Sequence, residues 1–319
     1  MPGVPPTRFV YLGPEGTFAE QALRSLRAAA KAPVTPMASV PEALEAVRAG
    51  EADAAVVPLE NSIGGQVGVT LDELTTGAPL VITREVVLPV NFVLAAKAGL
   101  TLDDLRSIAA HPQASTQCRG WLRLHAPDAT IIDVLSNGAA AVGAAAGQYD
   151  AAVCAPIGAE RNGLSVIAKD IADRPDAVTR FAVVSRPGPV PPPTGDDVTS
   201  LAVYIAHDRV GALLAVLTEL AVRGVNLTRI ESRPTGERLG RYAFFLDCEG
   251  HVAEVRMGEA LQGLYRVSAD VKFLGSYPRA AVERRRGAKP QASAPAGTSD
   301  EDFRRAAAWL GQIRAGDVS

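Results

Sequence analysis

The sequence predicts an α/β protein built as two domains. Three observations point there. Short apolar runs alternate with helix-period segments from Arg8 to about Phe181, a proline-rich stretch from Pro187 to Gly195 breaks the pattern, and a β-α-β-β-α-β order follows it. A length of 319 residues also favours two domains over one.

In chain order, Phe9-Val10-Tyr11-Leu12 reads as a buried strand stopped by Gly13-Pro14. Ala19–Ala30 has helical spacing, and Pro41–Arg48 forms a second helix with Ser39 as its N-cap. Ala52–Val57 is a strand ending at Pro58. Further βα units follow: Ser107–Ala110 into Pro112–His125, Ile131–Val134 into Ser136–Ala146, then Ala151–Cys154. Between them, Val81–Lys97 breaks the rhythm with extended runs joined at Pro89. An extended crossover suits a chain passing from one lobe to another, and Ala182–Ser185 can carry it back. Past the stiff, donor-poor linker, strands are expected at Thr199–Ala206, Leu227–Ser232, Tyr242–Asp247 and Asp270–Leu274, with helices at Gly211–Arg223 and Val255–Tyr265. This is the ferredoxin-like order, one sheet covered on one face by two helices. The tail opens with Arg284-Arg285-Arg286, read as a solvated charge run, and a Pro/Ala/Ser/Gly-rich stretch read as disordered to Ser299. Helical spacing returns over Asp300–Arg314, where Phe303, Ala307, Leu310 and Ile313 suit docking on the body or on a neighbouring subunit.

Bulk properties exclude several classes. A net charge of −3 is too mild to imply nucleic acid or a membrane surface as partner. Cys118, Cys154 and Cys248 are far apart, as reduced thiols in a cytosolic protein would be. The N-terminus carries no apolar signal core, and no stretch approaches the uncharged length that spans a bilayer, so a cytoplasmic location is expected. No GxxxxGK[ST] loop, HExxH pair or paired-cysteine spacing is present. Gly64-Gly65-Gln66-Val67-Gly68 lacks the spacing of a dinucleotide fingerprint, and the histidines, His111, His125, His207 and His251, support no triad. The expected chemistry therefore uses no metal, no cofactor and no strong nucleophile.

The loops after predicted strands are more informative, because ligands in open α/β sheets collect outside the carboxyl ends of strands. Gly13–Phe18, Glu60-Asn61-Ser62, His111–Cys118 and Ser136-Asn137 all fall there. Taken singly, each reads equally as a strand–helix turn or a helix cap. Taken together and in order, they resemble prephenate dehydratases. The motifs are Gly13-Pro14-Glu15-Gly16-Thr17-Phe18, Pro58-Leu59-Glu60-Asn61-Ser62 with Gly65 and Thr70-Leu71-Asp72, His111-Pro112-Gln113 with Gln117-Cys118, and Thr179-Arg180-Phe181. Ala177-Val178 departs from members that place an asparagine nearby.

The resemblance implies a bilobed, periplasmic-binding-protein-like catalytic domain over 8–185, with two α/β lobes around a cleft. A linker over 186–198, an ACT regulatory domain over 199–277 and a tail over 278–319 complete the chain. It implies loss of carbon dioxide and water from prephenate to give phenylpyruvate, a carbon–oxygen lyase reaction in phenylalanine biosynthesis. Thr179 is then the essential hydroxyl, donating to the departing oxygen. Thr17, Asn61, Ser62, Ser115 and Gln117 are expected as donors to substrate, and Phe181 as part of the ring pocket. Arg180 pairs either with a substrate carboxylate or with a structural partner between lobes, and Glu60 is better placed to orient neighbours than to face a dianion.

In the second domain, Gly211-Ala212-Leu213-Leu214 and Glu231-Ser232-Arg233-Pro234 resemble the phenylalanine-binding strings of dehydratase ACT domains, with Val210 where a proline is common. A helix opened by Gly211 can receive an α-carboxylate. L-Phenylalanine as effector, and self-association through ACT domains into a dimer or tetramer, follow from the same resemblance. Arogenate in place of prephenate, and a non-catalytic amino-acid sensor, stay open at this stage; retention of Thr179-Arg180-Phe181 argues against the sensor.

Overall fold

The structure, a computed structural model, describes residues 7–30, 32–205, 210–235, 242–280 and 295–316. Ala206, His207 and Arg284-Arg285-Arg286 lie outside these residues. The chain forms two compact units: Met1–Pro79 with Val86–Arg186, and Leu80–Glu85 with Pro187–Ser319.

The first unit holds two lobes. In the first lobe, β1 (Phe9–Leu12) pairs in parallel with β2 (Val34–Met37) and β3 (Ala54–Asn61). Antiparallel to β3 runs β11 (Val178–Ser185). The sheet order is β2-β1-β3-β11-β5, where β5 is Val81–Pro89, and the short β4 (Gly65–Gln66) hangs on β3. Contrary to expectation, β3 does not stop at Pro58. The register shifts between Arg180 and Phe181 on the facing strand, and a bulge tolerates a residue that cannot donate to the ladder.

Helix α1 (Phe18–Ser25) ends well before Ala30, because Leu26 turns extended. The Arg24 guanidinium binds the carbonyls of Ala29 and Ala32 and holds the turn that follows. Helix α2 (Val40–Arg48) starts where Ser39 Oγ accepts from Glu42 N–H at 3.3 Å, as its sequence predicts. Helix α3 (Gly68–Thr75) was not anticipated; buried Thr70 anchors it by donating to the Pro58 carbonyl at 2.6 Å.

The second lobe is a sheet in the order β10-β6-β9-β7-β8. Its strands are β6 (Val93–Ala96), β7 (Ser107–Ala110), β8 (Thr130–Asp133), β9 (Ala151–Cys154) and β10 (Ser165–Ala168). Both faces are buried: Leu94 and Ala96 enter one core cluster, Val93 and Ala95 the other. The predicted helix Pro112–His125 is two helices, α4 (Pro112–Gln117) and α5 (Arg119–His125), meeting at Cys118. The Asp173 carboxylate explains the break. It accepts from Gly120 and Trp121 N–H at 2.9 and 3.0 Å and so caps a new N-terminus. Helices α6 (Asn137–Ala146) and α7 (Pro156–Arg161) complete the lobe. The chain crosses between lobes after β5 and returns before β11, and Val90 N–H bonds the Ala177 carbonyl at 2.8 Å where the crossings meet. Cys118, Cys154 and Cys248 are buried, and burial pushes each thiol up to about 12.

The second unit is the expected ferredoxin-like fold. Its elements are β12 (Asp197–Tyr204), α8 (Ala212–Ala221), β13 (Leu227–Pro234), β14 (Tyr242–Glu249), α9 (Val255–Val267) and β15 (Asp270–Pro278). The antiparallel order is β13-β14-β12-β15. Leu201, Val203, Phe244 and Leu246 pack under Val216, Leu220 and Leu264 of the two helices. Elsewhere in the sheet, the buried Asp247 carboxylate holds Arg229 Nε at 2.7 Å and Ser200 Oγ at 2.6 Å, and Ser200 reaches Tyr277 at 2.7 Å.

Leu80–Glu85, the first half of β5, belongs to this unit. Gly275, at φ +139°, lies so close to the Ile82 carbonyl that no Cβ fits, and Ala280 N–H donates to Glu85 Oε1 at 2.6 Å. The expected C-terminal helix runs Asp300–Arg314 from a Ser299/Asp302 capping box. It docks through its first residue: the Asp300 carboxylate accepts from Val255 and Arg256 N–H, both at 3.1 Å, and caps α9. Trp309, Leu310 and Ile313 are exposed. No helix among the described residues is long and apolar enough to cross a membrane.

Candidate active site

A cleft of about 1040 Å³ opens in the first unit, lined from both lobes. β1 and β3 end at it, as do the N-terminal turns of α1, α3 and α6, while β11 brings Thr179 and Phe181. The strand-end loops singled out in the sequence therefore converge.

Thr179 is 8% exposed. It pairs across the sheet with Asn61, and Asn61 Nδ2 donates to Thr179 Oγ1 at 2.8 Å. The orientation of this amide is settled by its other end, because Asn61 Oδ1 accepts from Ile63 N–H at 2.9 Å and Gly64 N–H at 2.7 Å. Only an oxygen can take two N–H donors, so the nitrogen faces the hydroxyl. With one lone pair of Oγ1 occupied by a donor, the Thr179 proton is free to point at a ligand. Asn61, 118 residues away in sequence, is thus the side-chain partner of Thr179.

The walls of the cleft carry no Asp, Glu, Lys or Arg among the described residues. Their polar groups are amides, hydroxyls, one imidazole and helix N-termini. Thr17 leaves the first N–H groups of α1 without a side-chain cap and donates to the Leu12 carbonyl at 3.3 Å. Ser136 caps α6 by accepting from Ala139 N–H at 3.0 Å. Gln117 Oε1 and Asn137 Oδ1 are buried without a protein partner. Nδ1 of His111 accepts from Gln113 N–H at 3.2 Å, which leaves the imidazole proton on Nε2. Phe18 and Phe92 meet edge to face at 5.3 Å and form an apolar wall with Phe181.

Of the predicted substrate contacts, Thr17, Asn61, Gln117, Thr179 and Phe181 line the cleft. Ser62, Ser115 and Arg180 do not. Ser62 Oγ accepts from Val178 N–H at 3.0 Å and locks β3 to β11. Ser115 Oγ donates to the Pro112 carbonyl at 3.0 Å inside its own helix. Arg180 alternates to the other side of the strand from Thr179, its guanidinium 3.9 Å from Glu60. Gln66, Gln113, Asn137, Phe18 and Phe92 line the cleft although sequence reasoning assigned them no contact. Gln113 and Asn137 sat in strand-end loops, a usable signal; Phe92 carried none.

In the second unit, strand register gathers the other predicted strings. Arg233 and Tyr204 both pair with Ala243, so Glu231–Pro234 lies at the sheet end from which the chain leaves β12 toward α8. Gly211 caps α8 at φ +81°, Leu214 is 66% exposed, and Glu231 lies between Arg229 and Arg233 at 3.8 and 3.7 Å.

The prephenate dehydratase family model matches residues 9–189, and an ACT domain model matches residues 199–264. The chain belongs to the prephenate dehydratase family. A prephenate dehydratase of Mycobacteroides abscessus is 44% identical over 97% of this chain and 98% of its own. Among solved structures, the prephenate dehydratase of Arthrobacter aurescens in complex with L-Phe is 47% identical, with a TM-score of 0.89 over 97% of this chain and 99% of that one. GqqA, described as a novel type of quorum quenching acylase, is 30% identical with a TM-score of 0.79, covering 87% of this chain and 100% of that one. Similarity over nearly the whole length places both the catalytic and the ACT parts of the family in one chain.

Proposed function

We propose that this chain converts prephenate to phenylpyruvate in its cleft and that L-phenylalanine regulates it through the ACT unit. The carrying observation is the Asn61–Thr179 pair, which presents a hydroxyl proton to a cleft lined, among the described residues, by no Asp, Glu, Lys or Arg. Prephenate is a dianion. In a neutral pocket its carboxylates are received by N–H dipoles of helix N-termini and by side-chain amides. This holds the substrate without neutralising the ring carboxylate as an arginine would. That carboxylate leaves as carbon dioxide, its bond electrons enter the ring, and the C–O bond opposite breaks. Thr179 donates to the departing oxygen, which takes up one proton and leaves as water. Asn61, donating to the same Oγ1, strengthens Thr179 as a donor. Thr17 and Gln117 bind substrate, and Phe181 with Phe18 and Phe92 contacts the ring. Ser62, Ser115 and Arg180 act by holding the strands and helix that carry these groups.

In the ACT unit the uncapped start of α8 suits an α-carboxylate, Glu231 an ammonium and exposed Leu214 the aromatic ring. Pairing of ACT units, as dimer or tetramer, covers that ring. Incubation of purified protein with prephenate should yield phenylpyruvate, with arogenate as the comparison substrate. Turnover should fall on adding L-phenylalanine. Leu214→Arg should weaken that inhibition while sparing basal turnover, and light scattering should report an oligomer. A folded protein that leaves prephenate unchanged overturns the catalytic reading.

A further inference from the structure

We infer that Arg161 is a positioning residue whose charge controls substrate affinity by neutralising the buried Glu20 behind the anion-receiving end of α1. The inference deepens the prephenate reading and rests on it.

Glu20 has no solvent exposure, an unusual state for a carboxylate. It sits in the first turn of α1, next to Thr17, Phe18 and Ala19, which line the cleft. Its Oε2 accepts from Gly16 N–H at 2.8 Å, so the carboxylate itself shapes the loop entering the helix. Left alone, this negative charge would oppose the field that the helix N-terminus offers a substrate carboxylate. The main counter-charge comes from the other lobe. Arg161, at the end of α7, bonds Glu20 through Nη2, while its Nη1 is 3.4 Å from Glu15. Arg24 is a weaker companion, 3.6 Å away on the helix itself.

The approach of the lobes that permits this pairing is built into glycines. A Cβ on Gly158 would fall 2.8 Å from the Gly16 carbonyl, and one on Gly16 would fall 2.9 Å from Gly158 Cα. Gly138 meets the Glu15 carbonyl more tightly still. The loop bearing the α1 N-terminus is thus seated on α6 and α7, and Arg161 reaches Glu20 without entering the cleft. Its effect on the substrate passes through Glu20.

The test is steady-state kinetics of Arg161→Met, Arg161→Gln and the double variant Glu20→Gln/Arg161→Met, with circular dichroism to confirm folding. Wild-type turnover of prephenate in the same series tests the catalytic reading separately. Arg161→Met should raise KM for prephenate by about 10-fold or more, since like-charge juxtaposition is costly, with kcat moving less than about 3-fold. Arg161→Gln, which can still hydrogen-bond Glu20, should raise KM equally. The double variant should recover KM to within about 3-fold of wild type, because the buried carboxylate is gone and Glu15, 62% exposed, stays solvated. A purely structural bridge would likewise regain stability in the double variant; what separates the charge effect from it is the rise in KM at near-constant kcat in folded Arg161→Met and Arg161→Gln. Unchanged KM in either folded single variant, or no recovery in the double variant, overturns the inference.

Discussion

The cleft and the ACT sheet handle polarity in opposite ways. Among the described residues the cleft walls expose amides, hydroxyls, one imidazole and helix ends but no Asp, Glu, Lys or Arg. The ACT sheet buries an ion pair, Arg229 with Asp247, inside a chain of hydroxyls from Ser200 to Tyr277. The difference follows from what each place must do. In the cleft the ligand brings the charge, and a fixed cation would stabilise the carboxylate that has to leave. In the sheet no ligand is needed, and a fully bonded pair ties strands β12, β13, β14 and β15 to one register.

The largest break in this comparison should come from Thr179→Val. It keeps the shape and removes the proton, so kcat should fall by about 10²–10⁴-fold in stopped assays with prephenate. Asp247→Ala should leave Arg229 largely uncompensated and destabilise the second unit by about 3–5 kcal/mol in denaturant titrations. Gln113→Lys sharpens the contrast by placing a cation in the neutral cleft. Prephenate should then bind more tightly and react more slowly, with KM and kcat both lower by about 10-fold. A rise in kcat would show that the neutral wall is not a requirement. The buried thiols offer a further check: held near 12, they should resist thiol reagents at neutral pH and react only on unfolding. The smallest effect is expected at Asp150. Backbone donors at Arg106 and Ser107 hold its carboxyl below the usual carboxylate range. Its contribution is complete above the unfolded value near ~4 and is lost as pH falls through the folded one. Asp150→Asn should therefore lower the melting temperature at pH 7 and flatten its decline in acid.

Local chemistry made much of the fold legible. Ser39 announced α2, the strand and helix order of the second unit was readable from apolar spacing, and the helix at Asp300–Arg314 was readable from its helical spacing. Departures arose where a distant group overrode local preference. Asp173 restarts a helix at Arg119, a register shift between β3 and β11 lets β3 run through Pro58, and Arg24 binds the carbonyls of Ala29 and Ala32 in the turn that follows a shortened α1. The same holds in the cleft. The family resemblance pointed to Thr179 and Asn61 separately, but only strand pairing joins them. Ser62 and Ser115 looked like ligands because their residue types suit the task, whereas their hydroxyls serve the backbone.

Strand β5 carries a consequence for how the protein is made. Its first half packs with the second unit, and the Glu85–Ala280 bond joins residues 195 apart. At translation rates of about 5–20 residues per second, Leu80–Glu85 waits roughly 10–40 s on the ribosome for the sheet that receives it. During that interval Leu80–Glu85 lacks the packing that the second unit later gives it. A chain cut after Ser185 leaves it so permanently, so severing the regulator from the catalyst also strands a piece of the regulator inside the catalyst.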